Sequence, residues 1–194
     1  MAARVVILAG GEGRRMGGDK PGRAYGATTL LGRAVELAWT WSSDVAVAVR
    51  APAQAPAGLG IELLLDRTDL EGPIAGLAAA LADARDRRHG LLLTLPCDAP
   101  HLPSDLFERL QESLRSDQLC AVAVSGGRRH PTCALWRPHA LDVLAGYLAT
   151  GRRSLNGFAD ACAAAEVAWP VDPADPFANA NTPQELARLQ PRAA

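Results

Sequence analysis

Solid apolar runs alternate along this chain with segments whose apolar positions recur at helical spacing. "RVVILAG" (4–10) reads as continuously apolar, the pattern of a strand inside a parallel sheet, and "DVAVAVR" (44–50), "IELLLD" (61–66) and "GLLLTLP" (90–96) read as three further strands. Between them, "TTLLGRAVELAWTW" (28–41), "EGPIAGLAAALADARDRR" (71–88) and "PSDLFERLQESLR" (103–115) read as helices. Thr28 or Thr29 is placed to cap the first, Pro73 falls in the first turn of the second, and Ser104 or Asp105 is placed to cap the third. "APAQAPAGLG" (51–60) is a Pro/Ala/Gly connector. This β-α-β-β-α-β-α order predicts a doubly wound α/β fold: one Rossmann-like domain of three α/β/α layers around a mostly parallel central sheet.

The later pattern is more mixed. "LCAVAVSGGRRHPTCALW" (119–136) predicts two strands joined by a Gly-Gly turn. "RPHALDVLAGYLATG" and "RRSLNGFADACA" predict helices, and "EVAWPV" a last strand. In "NTPQELARL" (181–189), Thr182, Pro183 and Glu185 supply an N-cap, an N1 proline and a capping-box glutamate. Residues 1–190 are expected to form one domain and 191–194 a frayed tail.

Bulk properties remove several classes of function. With 48% hydrophobic residues in 194, the chain can build a real core. A net charge of -1 supplies no basic field, so nucleic acid is not an expected partner. The apolar runs are too short to span a bilayer, and the N-terminus lacks a signal-peptide pattern, so the expected location is cytoplasmic. Four cysteines without C-x-x-C spacing read as free, mostly buried thiols, Cys97 included.

The candidate chemistry begins where the first strand ends. "LAGGEGRRMGGDK" (8–20) packs five glycines around Arg14, Arg15 and Lys20. Glycines admit close backbone approach and the cations suit an anion. The spacing fails both G-x-G-x-x-G, because Met16 takes the sixth place, and G-x-x-x-x-G-K-[ST], because Asp19 precedes Lys20. In open α/β sheets ligands sit at the carboxyl edge, where Asp66 and Asp98 also fall, each at the end of a predicted strand. Asp98, in the stiff "TLPCDAPHLP" turn, can hold Mg2+, which needs few protein carboxylates when phosphates complete its shell. Gly72 and Gly76 allow close approach of a flat ligand, with helix packing an equal explanation for Gly76. His130 could wall a polar pocket, while Asn179 and Asn181 could aim amides at a ligand from a capped turn.

Together, "LAGGEGRRMGGDK", "GPIAG", "PCDAPHLP", "HPTCALW" and "NANTPQEL" resemble, in order, the molybdenum cofactor guanylyltransferases, the MobA family of the nucleotidyltransferase superfamily. The likeness runs from about residue 5 to 190. It implies a nucleotide-diphospho-sugar transferase-like fold and transfer of GMP from GTP to molybdenum-molybdopterin, with release of pyrophosphate. By position it implies that Leu8, Ala9, Gly10, Gly11, Lys20, Asp66 and Asp98 bind the nucleotide. Asp98 would hold Mg2+, with Arg15, Lys20 and Asp98 catalytic. His130, Asn179 and Asn181 would face the pterin, so that the N-terminal half serves GTP and the C-terminal half the acceptor. Transient contact with molybdenum insertion proteins and molybdoenzyme chaperones is a further implication. Two departures stand out: Ala48 and Arg50 end the second strand where many members carry Asn, and "PGRAYGATT" follows Lys20. The rival readings are a cytidylyl- or sugar-phosphate nucleotidyltransferase, and a non-catalytic nucleotide-binding carrier of cofactor.

Overall fold

In the computed structural model, described at residues 3–11, 13, 16–56 and 60–191, seven strands form the central sheet. In chain order the elements are β1 (Ala3–Leu8), β2 (Ala24–Tyr25), β3 (Thr28–Thr29), α1 (Leu30–Trp41), β4 (Val45–Val49), β5 (Glu62–Leu65), α2 (Pro73–Asp86), β6 (Leu91–Pro96), α3 (Leu106–Ser113), β7 (Cys120–Ser125), β8 (Arg128–Trp136), α4 (Ala140–Ala149), α5 (Leu155–Ala161), β9 (Ala165–Trp169) and α6 (Pro183–Leu189). The sheet order is β5-β4-β1-β6-β8-β7-β9, with β8 antiparallel to both its neighbours and the other pairings parallel.

The period of two along each strand builds the three layers. Val5 and Ile7 of β1 and Val45, Val47 and Val49 of β4 point to one face, against Leu31, Ala34, Val35 and Ala38 of α1 and Leu106 and Leu110 of α3. Val6, Ala46 and Ala48 point to the other, against α2, α4 and α5. Small side chains on that second face let α2 settle close: a Cβ on Gly76 would lie 3.5 Å from Ala48 Cβ and 3.2 Å from Leu8 Cδ2. Gly76 therefore lets α2 pack closely on the sheet, while also lining a cavity.

Three local readings are corrected by tertiary contacts. Asp105 occupies the N-cap of α3, but its side chain makes no cap bond; its Oδ1 accepts from Trp169 Nε1 at 2.9 Å. Glu185 does accept at the start of α6, but from Asn181 N (2.8 Å) rather than from Thr182 N; Thr182 Oγ1 accepts from Glu185 N as expected. The helical segment expected from Thr28 begins at Leu30 instead: Thr28 and Thr29 form β3, paired with β2 in a short hairpin that turns at Gly26 (φ 55°), and two-residue strands carry no pattern in the sequence.

The β7–β8 turn holds Gly126 and Gly127 at φ 53° and 74°, the conformation a tight two-residue hairpin demands. The predicted single run "HPTCALW" is interrupted: Ala123 pairs with His130, but Val122 pairs with Ala134, leaving Pro131, Thr132 and Cys133 bulged. Proline has no N–H to give the ladder, so the bulge forms there.

Candidate active site

Parallel register fixes what meets at the carboxyl edge. Leu8 lies beside Ala48 and Pro96, and Val49 beside Leu65. The residues that follow these positions therefore converge: Ala9–Gly11, Arg50, Asp66 and Asp98. They line a cavity of about 220 Å³. Every described residue expected to bind nucleotide is in its wall: Leu8, Ala9, Gly10, Gly11, Lys20, Asp66 and Asp98. Ala48, Arg50, Gly72, Pro73, Gly76, Pro96, Cys97, Thr132 and Asn179 complete it. Arg15 lies outside the described residues, as do Glu12 and Arg14.

Asp66 sits under the glycine loop. A Cβ on Gly10 would lie 2.2 Å from Asp66 Oδ2, so only glycine leaves room there. Asp66 Oδ1 is buried and has no hydrogen-bond partner among the described residues. Burial raises its pKa above the usual carboxylate range, with Arg50 pulling the other way. An orphaned carboxylate oxygen in a cavity wall is a ready acceptor for ligand N–H or O–H groups.

The glycine loop is closed by its own contacts. Gly13, Gly17 and Gly18 have φ of 58°, 76° and 83°. Gly13 O accepts from Met16 N (2.8 Å) and Gly18 N (3.1 Å). The Arg23 guanidinium donates to Met16 O and Gly18 O. Met16 is buried against Tyr25, Leu30, Ala180 and Leu186, which anchors the loop to α6. Gln54 ties it to the end of β4: its Oε1 accepts from Arg50 N (2.7 Å) and its Nε2 donates to Gly10 O (3.4 Å).

Lys20 Nζ ion-pairs with Asp98 Oδ2 and donates to Asn181 Oδ1 at 2.9 Å. Ala180 N donates to Asp98 O at 2.9 Å, so the 179–181 segment is laced onto the Asp98 turn. The expected split between nucleotide residues and pterin residues is thus not a spatial one: Asn181 touches Lys20, and Asn179 lines both this cavity and the next. Cys97 is buried, and burial together with Asp98 pushes its thiol up to about 12, so it stays protonated and packs.

Asp98 fits a hard divalent cation through its carboxylate oxygens. Among the described residues no group of three His, Cys, Asp or Glu side chains converges to hold a metal. The donor set therefore suits an ion that arrives with phosphate oxygens and water as its other ligands.

A second cavity, of about 330 Å³, is lined by His130, Asn179 and Asn181 together with Arg128, Asp175, Phe177, Glu185 and Arg188. The His130 ring stacks on Phe177 at 4.8 Å between centroids and 17° between planes. Its Nε2 lies 2.7 Å from Ser125 Oγ, which donates to Asp175 Oδ1 at 2.8 Å. Burial, with Arg128, lowers the His130 pKa against the opposing pull of Asp175. The bulge at Pro131 makes this arrangement possible, because it sends His130 to the second cavity and Thr132 to the first. Thr132, which follows His130 in the expected pocket wall, lines the first cavity instead, while Ser125, Asp175, Arg23 and Gln54 carry no signal in the sequence that sets them apart from other polar residues.

A MobA-like NTP transferase domain model matches residues 5–167. A molybdenum cofactor guanylyltransferase from Cereibacter sphaeroides is 39% identical over 186 residues, covering 95% of this chain and 94% of that protein. One from Rhodopseudomonas palustris is 38% identical, covering 97% and 93%. The crystal structure of molybdopterin-guanine dinucleotide biosynthesis protein A from Archaeoglobus fulgidus shares the fold, with a TM-score of 0.74, 23% identity and 95% of each chain covered. Similarity spread over nearly the whole of both sequences, on a sheet whose carboxyl edge gathers the glycine loop, Asp66 and Asp98, settles the family: this chain belongs to the MobA-like NTP transferases.

Proposed function

We propose that this protein is a nucleotidyltransferase that moves GMP from GTP to molybdopterin in its molybdenum form. The products are the guanine dinucleotide cofactor and pyrophosphate. The observation that carries this reading is the meeting of the glycine loop, Lys20, Asp66 and Asp98 around one cavity, with Asn179 shared between it and a second polar cavity. GTP occupies the first cavity and the pterin the second. The whole of residues 1–190 serves as one catalytic domain, its N-terminal half for GTP and Mg2+ and much of its C-terminal half for the acceptor.

The reaction joins the acceptor's terminal phosphate oxygen to the α-phosphorus of GTP and breaks the bond from that phosphorus to the β-phosphate's bridging oxygen. The attacking oxygen is already anionic, so no general base is required. The protein's work is to align two anions and to neutralise the departing one. Backbone N–H groups of the glycine loop and the Lys20 ammonium receive the phosphates. Arg15, proposed from sequence alone, adds to that charge. Asp66 accepts from the nucleoside. Asp98 would hold Mg2+, which when bound neutralises charge on the reacting phosphates. Lys20 neutralises Asp98 in the free protein and also donates to Asn181 Oδ1, and the triphosphate gives that ammonium a further anionic partner.

The location is proposed to be cytoplasmic; among the described residues no helix is long and apolar enough to cross a membrane. Transient contacts with molybdenum insertion proteins and molybdoenzyme chaperones are proposed on the same reading. The deciding experiment is incubation with molybdopterin, Mg2+ and GTP, CTP or UTP, followed by pyrophosphate detection. Release with GTP alone is expected. Equal release with CTP, or none with any nucleotide, would overturn the proposal.

A further inference from the structure

We propose that His130 is a fixed hydrogen-bond acceptor, through Nδ1, for a donor N–H of the acceptor substrate, and that Ser125 and Asp175 are positioning residues that hold its tautomer. This rests on the reading that the second cavity takes the pterin.

The assignment follows from counting hydrogens. Asp175 Oδ1 accepts from Phe177 N at 2.9 Å and lies 2.8 Å from Ser125 Oγ. An ionised carboxylate has no hydrogen to give, so the one hydroxyl hydrogen of Ser125 goes to Asp175. Ser125 Oγ then meets His130 Nε2, 2.7 Å away, with a lone pair only, and Nε2 must donate. A neutral imidazole carries one N–H. With that N–H spent on Ser125, Nδ1 is left bare.

The surroundings keep the ring neutral and still. His130 is buried, and its burial, helped by the Arg128 charge, disfavours a second proton against the opposing pull of Asp175. Phe177 covers one face and fixes the ring plane. Pro131, opening the bulge, fixes the backbone on the other side. Ser125, only 2% exposed and with its hydrogen directed to Asp175 rather than to His130, is not a nucleophile poised against a base. His130 likewise moves no proton in the reaction; it recognises.

The choice of acceptor matters because the cavity's cations can only donate. Arg128 and Arg188 offer N–H groups alone; Asn181 Oδ1 is engaged by Lys20, and Asp175 Oδ1 and Glu185 Oε2 accept from the chain's own groups, so Nδ1 stands beside the Asn179 amide and the remaining carboxylate oxygens as a neutral acceptor on a ring of fixed plane. A pterin presents ring N–H and amino donors as well as acceptors. A bare imidazole nitrogen held in register meets one of those donors, and a ligand lacking it leaves Nδ1 unpaired.

The test begins without any substrate. Protein labelled with 15N-histidine, with the His130 signals assigned by their loss in His130→Phe, is expected to show a protonated Nε2 and a pyridine-like Nδ1 at neutral pH. Ser125→Ala should mix the tautomers. A wild-type ring protonated at Nδ1, or at both nitrogens, would overturn the proposal. Kinetics supply the second arm. His130→Phe should raise the KM for molybdopterin about tenfold and leave the KM for GTP unchanged, the latter also reporting that the variant is folded. His130→Asn, whose Oδ1 stands in for Nδ1, should recover most of the loss. An unchanged molybdopterin KM in His130→Phe would sink the recognition role. Absence of guanylyl transfer in the wild-type protein would instead overturn the function proposed above, whatever the spectrum shows.

Discussion

The two ends of the central sheet treat charge in opposite ways. At the amino end of β1, Arg4 is 1% exposed and holds three carboxylates: Asp44, Glu62 (2.7 Å) and Asp83 (2.9 Å). Arg87 adds a second cation to Asp83 at 2.8 Å and also reaches Glu62. About 13 Å away along the same strand, at some 3.3 Å per residue, the carboxyl end opens into the cavity proposed for the nucleotide. There Asp66 buries an oxygen without a partner among the described residues, and Lys20 and Asp98 lean on one another across the space a triphosphate would enter. The first arrangement is closed and holds four chain segments together. The second is left incomplete, and incompleteness at a sheet's carboxyl edge is what a ligand can satisfy.

The contrast breaks most visibly at Asp98. Asp98→Asn should lower transfer by about a thousandfold or more, roughly 4 kcal/mol of transition-state stabilisation, while the thermal melting point stays near that of the parent. Pyrophosphate release and a melting curve check both halves. A variant that turned over normally would remove Asp98 from the chemistry.

Arg4→Met should do the reverse. Asp44 and Asp83 would be left partly buried without their shared cation, a loss of about 3–5 kcal/mol of folding stability. GTP affinity of the protein that remains folded should not change. Denaturant unfolding and a GTP titration separate the two effects, and intact stability would mean that the network is ornamental.

Asp66→Asn sharpens the comparison further. GTP affinity should fall about tenfold, since a charged acceptor is replaced by a neutral one. The pH dependence of stability carries the sign. The folded carboxyl holds its proton to a higher pH than the unfolded one, so folding is helped below the usual carboxylate range and that help is lost as pH rises through the raised value. The Asn variant should lack this decline. If its stability profile matched the parent's, Asp66 would not be the strained group.

The smallest effects concern the shared wall between the cavities. Asn179→Ala should weaken acceptor binding by about fivefold, near 1 kcal/mol, and GTP binding by less, because Asn179 lines both cavities. Asn181→Ala should weaken both ligands, because its Oδ1 also holds Lys20. Separate titrations with GTP and molybdopterin distinguish them; GTP affinity unchanged in both variants would restore a clean division of the site.

What the amino-acid sequence determined by itself is what lies within one element or one turn. Apolar runs became β1, β4, β5 and β6, the period of two chose their faces, and Thr29 and Thr182 capped their helices, because each signal and its consequence sit within a few residues. The glycine loop, Asp66 and Asp98 were legible for the same reason: each follows a strand, and parallel strands end at a common edge. Tertiary structure decided the rest. It placed Lys20 on Asn181, 161 positions away, and drew Asp105 from its helix to Trp169. It gathered three acidic residues from three segments around Arg4, and broke one apolar run at Pro131 so that His130 and Thr132 face different cavities. Hydrogen bonds and ion pairs between distant segments leave no period in the sequence; they exist only once packing has brought the partners within reach and removed the water that would otherwise satisfy them.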